Sequence, residues 1–238
     1  MRYDNELHEL ANSMSTLARN LEAEPDENQT LAGIVQAAMT TVPGVRAAGI
    51  TQVHRQRVSA KVPTDELVRQ CDEIQEELRE GPCLDAIWNE HTVVSNDLAE
   101  DPRWPRFGHR AVELGVGSMI SFQLYVQRDT LGALNLYGHH GARFGDEAQL
   151  IGEVFAAHAA LALSEARQYR QLNEALASRD AIGQAKGLLM QQHDITGQRA
   201  FDLLVQASQD ANIKLTDVAT WLVTEHEQPG QATRPRNT

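Results

Sequence analysis

The chain has 238 residues, a formal net charge of −12, 42% hydrophobic residues and two cysteines. That length allows one or two domains with a real core, and the acidic balance argues against general affinity for nucleic acid or for an anionic membrane surface. No apolar run approaches the length of a transmembrane helix, and the opening MRYDNELHEL lacks the apolar core of a signal peptide, so the expectation is a cytoplasmic protein with no membrane partner. Cys71 and Cys83 are too few for a disulfide framework.

Residues 1–25 place Leu7, Leu10, Met14, Leu17 and Leu21 at alternating spacings of three and four, the seam of an amphipathic helix. Such a seam can pair with a second copy or pack on another helix of the same chain. A second helix is expected from Thr30 to Thr41. Strands follow at Val45 to Val53 and Val58 to Val62, flanking the polar turn His54 to Arg57. The next helix, Asp65 to Leu78, sets Cys71 on the apolar stripe with Leu67, Ile74 and Leu78, which predicts a small buried core residue. A loop-rich middle comes next. In it Gly81-Pro82-Cys83 reads as a turn, leaving a reactive Cys83 as a minor alternative.

A short strand is expected from His91 to Ser95, then a helix ending near Leu114. Ile120, Phe122, Leu124 and Val126 alternate with Ser121, Gln123 and Tyr125, the period of a strand with one apolar face and one polar face. A turn at Arg128-Asp129 leads to a strand from Leu131 to Tyr137. This order predicts an α+β domain built on a mainly antiparallel sheet.

From Asp146 a helix is expected to run unbroken to Ser178. Residues 164–178 are too polar to be buried within one domain. With Ala162, Tyr169, Leu172 and Leu176 in a thin stripe, they read as a signalling helix with a two-helix, coiled-coil seam. The alternative is packing against residues 1–25 of the same chain. Residues 179–226 then carry three apolar runs at helical spacing, around Leu188, Leu204 and Leu222. Thr196 is a fitting N-cap for the middle helix, with Ile195 and Ala200 placed as a hydrophobic staple. Helices this short need one another to be stable, so a three-helix unit is predicted. Residues 227–238 are expected to be disordered.

Catalytic spacings are scarce. The nine histidines form no His-x3-His pattern, the two cysteines no Cys-x2-Cys pattern, and Gly115-Val116-Gly117 lacks the third glycine of a dinucleotide loop. His139, His140 and His158 read as structural or solvated. The expectation is neither a metalloprotein nor an enzyme.

Two resemblances add to this. Arg179, Ile182 to Gly187, Met190, Ala200, Phe201, Leu204, Ala207, Ser208, Asn212, Leu215 and Ala219, in that order, resemble the ANTAR domain, a three-helix RNA-binding module of bacterial transcription antiterminators. The resemblance implies binding of paired RNA stem-loops that compete with a terminator, with contacts from Arg179, Gln184, Lys186, Gly187, Ser208 and Asn212. Arg179 and Lys186 lie two turns apart, on one helix face. Between Ser178 and His226 four basic residues (Arg179, Lys186, Arg199 and Lys214) face six acidic ones (Asp180, Asp194, Asp202, Asp210, Asp217 and Glu225). That is a poor footprint for phosphate. Two protomers would compensate through effective concentration, so a homodimer is required by this reading.

GPCLDAI at 81–87, DPRWPRF at 101–107, GVGSMISFQL at 115–124, LGALNLYG at 131–138 and FAAHAALAL at 155–163 resemble a GAF domain, of the type that precedes ANTAR in actinobacterial proteins. It would span residues 26–163. GAF domains hold small molecules, chromophores or haem, or only dimerise. The resemblance places a pocket at Trp104, Phe107, Ser121, Gln123, Asn135 and Tyr137, with ligand and cofactor unknown. The whole then reads as a signal-responsive antiterminator. The alternatives are a DNA-binding three-helix regulator and a protein-interaction adaptor.

Overall fold

The computed structural model describes residues 27–54 and 57–227. The expectations for residues 1–25 and for the tail beyond Glu227 lie outside these. The chain divides into two compact units, Met1–Ala166 and Arg167–Thr238.

The first unit is built on a five-stranded antiparallel sheet ordered β2-β1-β5-β4-β3, with β1 at Ala47–His54, β2 at Arg57–Ala60, β3 at Thr92–Ser95, β4 at Ser118–Val126 and β5 at Asp129–Gly138. The register sets Gly49 and Ser121 opposite Asn135 on its two sides, so these positions form one row across the three central strands. Side-chain alternation sends Ile50, Ile120, Phe122, Leu134 and Leu136 to one face. There they meet α1 (Glu27–Thr41) and the start of α5 (Asp146–His193). Leu31, Ile34, Val35 and Ala38 recur at the spacing of a single helix stripe, which is why α1 lies flat on the sheet. Helix α5 comes close at Gly152, where an added Cβ would stand 2.2 Å from the Phe122 ring. Ala162 belongs to this core and is 6% exposed, which removes it from the predicted two-helix stripe.

The opposite face carries Ala47, Met119, Ala133 and Tyr137, and it too is covered. Its cover is α2 (Glu66–Leu78), α3 (Pro82–Trp88) and α4 (Pro105–Glu113). Asp65 caps α2, its carboxylate accepting from Val68 N at 3.1 Å. Helix α3 replaces the predicted turn at Gly81-Pro82-Cys83. Two turns are too short to show a period; the signal was Pro82 at the first helical position after Gly81. Gly81 has φ 143, and a Cβ there would lie 2.3 Å from the Gln75 side chain, so this corner requires glycine. Cys83 consequently points into the core, 2% exposed, and Cys71 is fully buried as expected.

The second unit contains the end of α5, then α6 (Gly197–Ala211) and α7 (Leu215–Glu227). No break separates the predicted signalling helix from the first helix of the three-helix unit: both lie in α5. Thr196 caps α6 as expected, accepting from Arg199 N at 3.3 Å. Ala185, Leu204, Val218 and Ala219 form the buried centre, ringed by half-buried Ile182, Leu189, Ile213, Leu222 and Val223. Small residues at Ala185 and Ala219 let the helices approach closely. Glu227, placed in the predicted tail, is the last residue of α7.

Candidate functional site

The six residues expected to line a pocket do not share one. Trp104 is 2% exposed and Phe107 fully buried, and both are core beneath α4. The Trp104 indole N–H donates to Asp85 Oδ2 at 2.8 Å, and the Arg103 guanidinium stacks 4.0 Å above its ring. Gln123 sits apart near β3. Its amide donates to Ile87 O at 2.8 Å and Thr130 Oγ1 at 3.3 Å, and its carbonyl meets His91 Nδ1 at 2.7 Å.

The other three come together. Ser121, Asn135 and Tyr137 occupy the α2–α3 side of β4 and β5, and all are buried. Tyr137 OH donates to Asp72 Oδ1 at 3.0 Å and Thr51 Oγ1 donates to Asp72 Oδ2 at 3.1 Å. Asn135 Nδ2 donates to Thr51 Oγ1 at 2.9 Å and lies 3.2 Å from Cys83 Sγ. Gln75 Oε1 accepts from Cys83 N at 2.9 Å. The centre of this network is Asp72, which was not among the expected residues. Its signal was present in the sequence: it stands four residues after Val68 and three before Gln75, on the buried side of α2.

Burial pushes the Asp72 carboxyl up to about 6, against hydrogen bonds from Tyr137 and Thr51 that favour its charged form. Burial, and then the charge of Asp72, pushes the Cys71 and Cys83 thiols up to about 12, and the Tyr137 hydroxyl is raised by the same two causes. Cys83 is buried and its thiolate disfavoured, so it has neither the access nor the charge state that a reactive cysteine needs. Among the described residues, Ser121 Oγ, Gln75 Nε2 and Asn135 Oδ1 are buried without a partner. Two surface cavities of about 310 and 230 Å³ are lined by none of the six expected residues.

In the second unit, Arg179, Gln184 and Gly187 are exposed on α5 and Lys186 is half-buried. Arg179 and Lys186 share a face, and neither makes an ion pair among the described residues. Gln184 projects roughly 140° away from Arg179 at 100° per residue. Lys186 Nζ lies 6.0 Å from the Phe201 ring centroid, and an added Cβ at Gly197 would be 3.8 Å from it, so the ammonium rests over the start of α6. Added Cβ atoms at Gly183 and Gly187 would meet nothing within 4 Å. Two glycines in a helix interior cost about 1 kcal/mol each. What they leave is bare backbone beside the two cations. Gly183 was not among the expected contacts, although this pairing of glycines was visible in the sequence.

Ser208 and Asn212 have local work. Ser208 Oγ donates to Ile213 O at 2.6 Å, and Asn212 is the left-handed C-cap of α6 with φ 51. Both close the turn into α7.

Residues 24–164, more than half of the chain, match the GAF domain family. The chain belongs to that family. Residues 170–223 match the ANTAR domain. The protein therefore joins a sensor domain to an RNA-binding antiterminator domain, the make-up of a signal-responsive regulator. No curated protein matches the chain.

Solved structures similar to the chain include the GAF domain of a phosphoenolpyruvate-protein phosphotransferase from Coxiella burnetii. It is 16% identical with a TM-score of 0.56, covering 69% of this chain and 98% of that one. Free methionine-R-sulfoxide reductase from Neisseria meningitidis, in complex with its substrate, is 17% identical with a TM-score of 0.54, covering 67% and 91%. The chromophore-binding domain of a bacteriophytochrome from R. palustris is 12% identical with a TM-score of 0.55, covering 71% and 64%. At these identities the likeness shows the GAF fold alone. In the described residues no helix is long and apolar enough to cross a membrane.

Proposed function

We propose that the protein is a cytoplasmic homodimer that prevents transcription termination by gripping tandem RNA stem-loops, one in each ANTAR domain, under control of a signal received by the GAF domain. The observation that carries this reading is the face of α5 where Arg179 and Lys186 flank the bare backbone of Gly183. A guanidinium and an ammonium with no ion pair among the described residues, beside uncovered peptide groups, suit a phosphate backbone, and an arginine also stacks on unstacked loop bases. The ANTAR domain has few cations, so each contact is weak and two linked domains are needed for useful affinity.

Dimerisation has support of its own. Tyr169, Leu172 and Leu176 are 65%, 59% and 51% exposed on α5 at spacings of three and four, the apolar stripe of a two-helix seam. In this reading α5 carries the signal from sensor to output. The protein acts by binding and not by catalysis. The methionine sulfoxide reductase shares the fold, but the two thiols here are buried, which disfavours their thiolate form.

The test is fluorescence anisotropy of the full chain with a two-stem-loop RNA beside duplex DNA of equal length. Tighter binding to the RNA, with a stoichiometry of two protomers per RNA, is expected. Equal affinity for the duplex would replace this reading with a DNA-binding regulator. No binding to either, with or without cell extract as a source of signal, would replace it with a protein-interaction adaptor.

A further inference from the structure

The cavity of about 310 Å³ on the GAF domain is formed by the end of α2, the outer side of α3 and the start of β2. Its charged lining is Arg57, Arg79, Glu76 and Asp85. Asp85 is already occupied: its Oδ1 accepts from Asn89 at 2.8 Å and its Oδ2 from Trp104 at 2.8 Å. Among the described residues, no ion pair or side-chain hydrogen bond engages Arg57, Arg79 or Glu76. The Asn89 and Trp104 donors are neutral, so the lining carries two guanidiniums and two carboxylates, with Glu76 the carboxylate whose oxygens are open to a ligand. Arg79 also holds a left-handed backbone at φ 52, a position where glycine or asparagine is the usual residue.

The apolar lining is equally specific. Trp88 is 51% exposed, although burying such a ring would add a few kcal/mol of stability. Leu84 and Val58 are half-buried beside it. The volume is at the low end for ligand sites, which suits a small molecule.

We infer that this cavity binds a free α-amino acid, its carboxylate held by Arg57 and Arg79, its ammonium by Glu76 and the face of Trp88, and its side chain by Leu84 and Val58. The charge pattern selects this class. A simple anion would face the carboxylates of Glu76 and Asp85, and a simple cation would meet two guanidiniums. A molecule with one charge of each sign satisfies both. The indole face adds a second attraction for the ammonium. This site lies on the surface, away from the buried Asp72 network. It names the signal in the reading above and rests on that reading for its consequence, while the binding event itself does not.

The test is isothermal titration calorimetry of the full chain with each of the twenty free amino acids. For the tightest binder, its N-acetyl derivative and its decarboxylated amine follow. At least one amino acid is expected to bind with a submillimolar Kd, and loss of either charged group is expected to weaken binding at least about tenfold. Arg57→Gln with Arg79→Gln, and separately Glu76→Gln, should each produce a similar loss while circular dichroism stays unchanged. Binding by none of the twenty, binding of either derivative as tight as that of the parent amino acid, or indifference to the substitutions would overturn the site. RNA binding read by anisotropy separates the two claims. Amino-acid binding that leaves RNA affinity unchanged overturns the signalling role and keeps the site. Intact RNA binding with no amino-acid binding overturns the site and leaves the RNA-binding reading standing.

Discussion

The GAF domain turns its distinctive polar groups inward, and the ANTAR domain turns its own outward. Asp72, Thr51, Asn135 and Tyr137 are buried between sheet and helices and hydrogen-bonded to one another. Arg179 and Lys186 stand on a helix face without an ionic partner among the described residues. The cores differ in the same direction. The GAF sheet is packed on both faces, whereas the ANTAR unit closes on Ala185, Leu204, Val218 and Ala219. A buried polar cluster is tolerable only on a scaffold with many apolar contacts to hold it. The smaller domain keeps its chemistry at the surface, where a partner can reach it.

The largest effect should come from removing that scaffold. Phe122→Ala deletes the ring on which Gly152 of α5 rests and should destabilise the GAF domain by about 3–5 kcal/mol. Denaturant unfolding followed by the near-ultraviolet signal of the GAF domain would measure it. A loss below about 1 kcal/mol would mean that the sheet–helix contact is not close-packed.

The buried carboxylate comes next. The folded-state value of Asp72, about 6, lies above its ordinary 3.8, so the fold favours the neutral form. Its contribution is fully present below about pH 4 and is lost as pH rises through about 6. By pH 8 the wild type should have lost about 3 kcal/mol relative to a side chain that cannot ionise. Asp72→Asn should therefore flatten the stability profile between pH 4 and pH 8. Parallel profiles for the two proteins would show that the folded-state value of Asp72 stays at its ordinary 3.8.

Much of this was readable in the sequence, for identifiable reasons. The alternation of Ile120, Phe122 and Leu124 and the stripe of Leu31, Ile34 and Ala38 are long enough to carry a period, and both lie on the first core. The caps Asp65 and Thr196 act within three residues of themselves. The pocket was harder because it depends on which face of the sheet is covered. Ser121 looked like the polar face of a half-solvated strand, yet the face is covered, α3 packs on β4, and Ser121 is buried. Ser208 and Asn212 were assigned to RNA by likeness, and the structure gives each a local task in closing a turn. Gln184 is off the Arg179 face because helix phase, unlike linear order, decides neighbours.

A smaller effect sharpens the contrast from the ANTAR side. Thr196→Ala removes one capping acceptor and should cost about 1 kcal/mol, read as a lower thermal midpoint for that domain. The GAF transition should not move.

The smallest effect on stability should come from Lys186→Ala, and the same substitution gives the most direct test. The residue is half-buried and makes no ion pair among the described residues, so folding should change by less than about 0.5 kcal/mol. RNA affinity of the wild type and of the variant would be measured across a salt series. If the outward face of α5 contacts phosphate, the variant binds more weakly and its plot of log affinity against log salt is shallower by about 0.7 for each ammonium removed. Two parallel lines would contradict the account and place the RNA elsewhere on the protein.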